Sequence, residues 1–260
     1  RREALINVGG WRGYTLTEDA DLSARRVLNG WRSRYLSEMV VGSEVPYTLE
    51  DFIKQQARWV MGGIQAALEL LRPTWLSKRH ALPQKLEGTI HLTNYLAFPV
   101  MVLQSKLLVV LVVLGFDPSP IFYSWIGLVS LIGSLRVSWM FASSIKLAGL
   151  RILGKIPNLL LLGAIGVGML PRLSFMMFRS LFSKNNVFVV TPKYNRDSNS
   201  NPTDVMFNNN TKSGVHIEMI FIVITLVGIS YTFINNTYIV IGSFIIQLMS
   251  YLTTLYDLRR

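Results

Sequence analysis

The sequence predicts an α-helical membrane bundle preceded by a soluble segment, and three observations carry that reading. Up to about Leu92, charged and apolar residues alternate as they do in a water-soluble domain. Beyond Asn94 come long stretches nearly free of charge, although only half of the 260 residues are apolar. Lys and Arg gather between those stretches, where a membrane protein keeps its cytoplasmic loops.

Length decides how the apolar stretches are read. A helix rises about 1.5 Å per residue, so roughly 20 apolar residues cross a hydrocarbon core of about 30 Å. Residues 94–115, 120–141, 216–234 and 238–255 reach that length, giving four expected spans. The connections Phe116-Asp117-Pro118-Ser119 and Asn235-Asn236-Thr237 contain no Lys or Arg. Basic residues instead precede the first span (Arg72, Lys78, Arg79, Lys85), fill the region from Lys146 to Arg196, and end the chain at Arg259-Arg260. The positive-inside rule then places the polar segments and both chain ends on the cytoplasmic side of a plasma (inner) membrane. Segment 156–182 holds a shorter apolar run, 159–170, flanked by Lys155 and Arg172, and is expected to be an interfacial helix. Residues 195–213, rich in Asn and Ser, form a polar linker. Asn235-Asn236-Thr237 spells a glycosylation sequon, but it stands too close to the membrane to be a good acceptor.

The net charge of +11 does not point to nucleic acid, because no basic stripe interleaves with exposed aromatics. Cysteine is absent, so disulfide and thiolate chemistry are excluded. The chain opens on Arg1-Arg2-Glu3 with neither an initiator Met nor a signal peptide, and is expected to be part of a longer protein.

Three short signals carry chemistry. Thr17-Glu18-Asp19 opens a helix whose stripe is Leu22, Ala24 and Val27-Leu28, with Gly30 as its stop. In the first turn, free N–H groups and the helix dipole favour a charged carboxylate, which suits a base that deprotonates a hydroxyl. Acidic residues also belong at ordinary helix starts. Further on, Gln55, Arg58 and Trp59 share one face of a helix whose apolar residues include Leu49, Phe52, Ile53, Val60 and Ile64. An amide, a guanidinium fork and an indole suit a sugar ring and a diphosphate. The same helix also reads as an amphipathic element at the membrane surface, anchored by Trp59. The third signal, Phe188-Val189-Val190-Thr191-Pro192-Lys193, is an extended segment with a hydroxyl and an ammonium that could reach a nucleotide, or else an ordinary connector.

In this order and among these spans, the signals resemble the processive family 2 glycosyltransferases, the group that contains cellulose and hyaluronan synthases. Thr17-Glu18-Asp19 matches the TED motif, Gln55-x-x-Arg58-Trp59 the QxxRW motif, and Phe188-x-Val190-Thr191-x-Lys193 looks like the FxVTxK gating loop of bacterial cellulose synthases. The stretch Lys85-Leu86-Glu87 to His91-Leu92-Thr93-Asn94-Tyr95 looks like the entry to the first span after the catalytic domain. The resemblance implies an α/β fold for the soluble part, the second half of a nucleotide-sugar-binding (GT-A) domain, followed by an α-helical transmembrane bundle with interfacial helices. The expected parts are a catalytic half-domain over 1–92, two spans in 93–142, an interfacial helix and gating-type loop in 143–194, a linker over 195–214, and two spans in 215–260.

The family also implies roles. Asp19 is the general base for an inverting transfer of hexose from a nucleotide sugar to a growing β-linked polysaccharide, with Glu18 and Thr17 shaping the acceptor pocket. Gln55, Arg58 and Trp59 contact the acceptor end and donor diphosphate, and Phe188, Thr191 and Lys193 close over the nucleotide. The implied cofactor is Mg²⁺ or Mn²⁺, with its ligands in the upstream donor-binding half and none here. Asp19-x-Asp21 spells a DxD, but Asp21 is expected to be a solvated helix residue. Without the donor half, the chain alone is expected to bind donor poorly and to be inactive. Lys106 and Arg136 interrupt apolar spans at a cost of at least about 2.5–3.5 kcal/mol each, and are candidates to line a polysaccharide channel. They could equally snorkel or pair with other spans. A non-processive enzyme acting on a glycolipid acceptor is the nearest alternative. A transporter is disfavoured, since no repeat relates the spans.

Overall fold

The computed structural model describes residues 1–34, 36, 39, 41–43, 45–46, 48–115, 120–182, 214–234 and 238–258, with backbone alone for most of 120–136 and for 214–216 and 239. Every regular element among them is helical: α1 (Arg2–Ile6), α2 (Glu18–Leu28), α3 (Leu49–Leu76), α4 (Leu82–Thr93), α5 (Ala97–Val113), α6 (Pro120–Leu147), α7 (Ile156–Phe182), α8 (Gly214–Ile234) and α9 (Ile241–Leu258). The α/β arrangement implied for residues 1–92 is not shown: no strand occurs among the described residues.

The chain divides into two compact units, and the divisions fall inside α5 and α7. The first unit comprises residues 1–102 and 170–215. Its centre is α3. Thr48 caps that helix by accepting from the Asp51 N–H at 3.1 Å, while its hydroxyl donates to the Asp51 carboxylate at 2.9 Å. Ala66, Ala67 and Leu70 of α3 form a buried cluster with Leu92 of α4, and Ala24 and Leu28 of α2 pack against it. Fully burying a side chain the size of Leu or Val contributes about 1.5–3 kcal/mol, so Leu70 and Val60 anchor this layer.

Polar links fix the ends. α2 stops at Gly30, whose φ is +87°; the Gly30 N–H donates to Val27 O and the Trp31 N–H to Arg26 O, the two bonds of a Schellman cap. The Arg79 guanidinium donates to Asn29 O at 2.9 Å, and Lys85 Nζ to Trp75 O at 2.9 Å, satisfying carbonyls at the ends of α2 and α3. The Gln84 side chain accepts from the Ala81 N–H at 3.0 Å and opens α4, which carries Pro83 in its first turn. No break separates soluble part from span at residue 92, because α4, the 3-10 turn Asn94–Leu96 and α5 form one helical stretch, Leu82–Val113.

The second unit comprises residues 103–169 and 216–260. Val109 and Val112 of α5 pack with Val240 and Phe244 around a buried cluster that Ile224 and Ile229 of α8 flank. Small residues let the helices approach: a Cβ on Gly228 would lie 3.1 Å from both Phe244 and Val109.

Among the described residues, three stretches are long and apolar enough to cross a membrane: Leu82–Val113, Leu153–Phe182 and Ile217–Ile234. The middle one contains the helix over 156–182 that is expected at the membrane interface; its length and apolar composition would also suit a span. Arg172 is buried, and α7 continues past it to Phe182. α6 and α9 are continuous helices over the other two expected spans. Gly168 of α7 faces α9, where an added Cβ would overlap Thr254 Oγ1 and lie 2.6 Å from Ser250 O. Gly168→Ala is expected to destabilise the bundle by about 1–3 kcal/mol. Thermal unfolding of detergent-solubilised protein measures it, and an unchanged melting temperature contradicts the packing.

Candidate active site

Thr17, Glu18 and Asp19 stand at the N-terminus of α2 as expected, with Thr17 in the N-cap position. Its hydroxyl does not cap the helix; the side chain is buried, and its Oγ1 has no hydrogen-bond partner. The reason is the close approach of α3. A Cβ on Gly62 would come within 2.6–2.7 Å of Thr17 N, Oγ1 and Cγ2, so α2 begins directly on the backbone of α3. One turn further along, the Gln65 side-chain oxygen accepts the Leu16 N–H at 3.1 Å. Glu18 is half-buried, while Asp19 is exposed and accepts from the Ala20 N–H at 2.8 Å.

Helical spacing makes Gly62 a locator. Gln55 and Arg58 precede it by seven and four residues and so share its face of α3. Trp59 precedes Gly63 by four, and Gly63 is where the Tyr95 ring lies against α3, closer than any Cβ would allow. One helix thus carries Gln55, Arg58 and Trp59 a turn or two before the place where the Thr17-Glu18-Asp19 corner seats. Gln55 and Arg58 are half-buried and Trp59 is 40% exposed.

Asp21 is the clear correction. Expected to be solvated, it is 0% exposed. Its carboxylate pairs with Arg25 at 2.7 Å and accepts from the Tyr14 hydroxyl at 2.7 Å. The same guanidinium donates onward to Val8 O and, at 2.8 Å, to Gly10 O. A buried ion pair persists only when its remaining bonds are made, and here Tyr14 and two carbonyls make them. With its oxygens so engaged, Asp21 is not a metal ligand in an Asp19-x-Asp21 pair. Among the described residues, no group of three His, Asp or Glu side chains could hold a metal ion, so the residues present do not form a site for the implied Mg²⁺ or Mn²⁺.

The remaining expected residues divide. Lys106 is half-buried in the second unit, where Nζ donates to Thr225 Oγ1 at 3.0 Å and Gln247 Oε1 at 3.2 Å, with the Phe221 and Tyr251 rings at 5.1 and 5.2 Å. Neutral oxygens and two aromatic faces therefore hold this cation between α5, α8 and α9. The side chain of Arg136, and all of Phe188, Thr191 and Lys193, lie outside the described residues. Sequence reasoning missed Tyr14, Gly62, Gly63, Gln65 and Tyr95. Two successive glycines inside a helix were the available signal, since each costs about 1 kcal/mol relative to Ala and usually has a packing reason.

Burial first, then the hydrogen bond to Asp21 and the charge of Asp21, push the Tyr14 hydroxyl up from 10.0 to about 12. The folded value exceeds the unfolded one, so this stabilisation is whole below pH 10.0 and is lost as pH rises through about 12. Tyr14→Phe should lower stability at neutral pH and flatten the decline over that alkaline window in melting experiments. An identical alkaline slope in both proteins contradicts the assignment.

Comparison with known proteins now bears on this arrangement. The glycosyl transferase family group 2 profile matches residues 1–183. A probable glycosyltransferase of Sulfolobus acidocaldarius is 31% identical over 196 residues, covering 74% of this chain and 41% of that protein. A probable glucomannan 4-beta-mannosyltransferase of Oryza sativa is 35% identical over 85 residues, 33% of this chain and 14% of that protein. A glucomannan 4-beta-mannosyltransferase of Arabidopsis thaliana is 44% identical over 62 residues, 24% of this chain and 12% of that protein. The chain thus spans less than half the length of these curated relatives. No solved structure matches it. A corner of Thr, Glu and Asp seated on the helix that carries Gln55, Arg58 and Trp59, with a profile match through most of the chain, leads to one conclusion: the chain belongs to the family 2 glycosyltransferases.

Proposed function

We propose that this chain forms the acceptor side and membrane-embedded part of an inverting enzyme that transfers a hexose from a nucleotide sugar to a growing β-linked polysaccharide, coupled to export. The observation that carries this reading is the seating of the Asp19 corner on the Gln55–Arg58–Trp59 helix at Gly62. The similarity to proteins named glucomannan 4-beta-mannosyltransferases supports a hexose and a β-linked product.

In this mechanism the exposed Asp19 carboxylate takes the proton of an acceptor hydroxyl. The freed oxygen attacks the anomeric carbon of the donor in line, the new glycosidic bond forms, and the nucleoside diphosphate departs with inversion. Asp19 stands in the first turn of α2, where an acidic side chain faces the free N–H groups of the helix start. Arg58 faces the departing diphosphate as a bidentate donor, and the half-exposed indole of Trp59 offers a plane to the acceptor ring. Phe188, Thr191 and Lys193 close over the nucleotide, and Arg136 with Lys106 borders the path of the polymer. The catalytic side and both chain ends face the cytoplasm, following the basic loops.

The test uses the full-length enzyme in membrane vesicles with radiolabelled nucleotide sugars and added Mg²⁺ or Mn²⁺. Wild type should place label in long polymer, and Asp19→Asn should lower the rate by about 10²–10⁴-fold. Equal activity of Asp19→Asn contradicts the base assignment. Label confined to lipid, one sugar per acceptor, favours a glycolipid enzyme over a polymer synthase.

A further inference from the structure

Gln55, Arg58, Gly62 and Gln65 follow one another on α3 at intervals of three, four and three residues, the spacing of a single helical stripe. The first two are expected to meet substrate, and Gly62 is the seat of Thr17. Gln65 touches the loop instead, reaching across 49 residues of sequence to accept the Leu16 N–H through Oε1 at 3.1 Å. Leu16 is 7% exposed, so its N–H is withdrawn from water and needs an acceptor inside the protein. Gln65 gains nothing on its other side, because its Nε2 is buried without a hydrogen-bond partner. An apolar side chain of similar length would avoid that orphaned donor. What glutamine brings to this position is therefore its oxygen, and the Leu16 N–H fixes which end of the amide faces the loop.

This bond differs in kind from the contacts beside it. Arg25, through Val8 O and Gly10 O, and Tyr14, through Asp21, tie the loop to α2 and make loop and helix one body. Thr17 meets α3 at Gly62 by close packing, which limits how near the two come but has no direction along the helix. A hydrogen bond is directional and weakens steeply as its angle departs from the line. Leu16 and Thr17 are neighbours in the loop, and Gln65 and Gly62 are neighbours on α3, one turn apart. Two adjacent attachments, one of them directional, set both the position of the corner along α3 and its rotation upon it. Asp19 follows two residues after Thr17.

We infer that Gln65 is a positioning residue: its bond to Leu16 holds the register of the Thr17-Glu18-Asp19 corner on α3 and so aims Asp19 at the acceptor hydroxyl. This rests on the reading of Asp19 as the base. It adds a residue that acts through the backbone of Leu16 without touching sugar or nucleotide.

The experiment measures kcat and donor KM of the full-length enzyme in membrane vesicles, and thermal unfolding in detergent, for Gln65→Met, Gln65→Glu and Gln84→Met. Methionine matches the length of glutamine and removes the acceptor, whereas glutamate keeps an oxygen for the N–H. Gln65→Met should lose at least about tenfold in kcat with donor KM within about twofold of wild type, as expected for a displaced reacting group. Gln65→Glu should recover most of that loss. Gln84→Met removes the same kind of bond, from the Ala81 N–H at the start of α4, and should lower the melting temperature without lowering kcat. A cycle with Asp19→Asn separates positioning from general damage: once the carboxylate is gone, Gln65→Met should cost less than about threefold further. An equal factor in both backgrounds, equal kcat losses in Gln65→Met and Gln84→Met, or no recovery in Gln65→Glu overturns the proposal. Should Gln65→Met fail to accumulate, Gln65→Asn, whose amide stops one methylene short of Leu16, takes its place with the same expectations. An Asp19→Asn enzyme as active as wild type refutes the base itself, whereas wild-type kcat in Gln65→Met beside an inactive Asp19→Asn refutes the positioning alone.

Discussion

Everything at the candidate site depends on one approach: the start of α2 lies on the bare backbone of α3 at Gly62, where any side chain would overlap Thr17. A glycine in mid-helix weakens the helix by about 1 kcal/mol, and α3 tolerates two in succession. What offsets them is packing on either side, with Val60 and Ile64 buried around the pair and Ala66, Ala67 and Leu70 continuing the contact. The gain is positional. Because no side chain intervenes, the turn that carries Glu18 and Asp19 is set by helix geometry, and the residues four and seven positions earlier on α3 share its face.

A second constraint holds α2 in its orientation. Asp21 and Arg25 pair in full burial, an arrangement that stabilises only when every remaining bond of both ions is made. The Tyr14 hydroxyl and the carbonyls of Val8 and Gly10 make those bonds, and all three belong to the loop leading into the helix. Loop and helix are thereby one rigid corner. The membrane side of the chain uses a related logic, in which Gly168 and Gly228 allow close packing and Lys106 is satisfied by neutral oxygens and ring faces without a carboxylate.

How much of this was legible in the sequence varied with the kind of force involved. Local signals read correctly: Gly30 does end α2, and residues 49–64 are helical with Ile53, Val60 and Ile64 inward and Leu49 and Phe52 half-buried. Burial of charge did not. An Asp21–Arg25 pair at i and i+4 has the same spelling on a solvated face as in a core, and only the loop that brings Val8, Gly10 and Tyr14 onto it decides between them. Arg172 is likewise buried within α7, which its charge alone does not announce. Gly62 and Gly63 announced a close approach without saying to what, since the partners Thr17 and Tyr95 stand far away in sequence.

The central claim is that the catalytic corner works where it does because α3 offers it no side chain. The most direct measurement compares sugar-transfer rates of full-length Gly62→Ala and Gly88→Ala, the second placing its Cβ at an ordinary 3.4 Å from Thr74. Displacing a reacting group by about 1 Å costs on the order of 10²-fold. A Gly62→Ala enzyme that folds and binds donor normally but loses at least about tenfold in kcat, beside a fully active Gly88→Ala, is the predicted result. Wild-type kcat in Gly62→Ala contradicts the account.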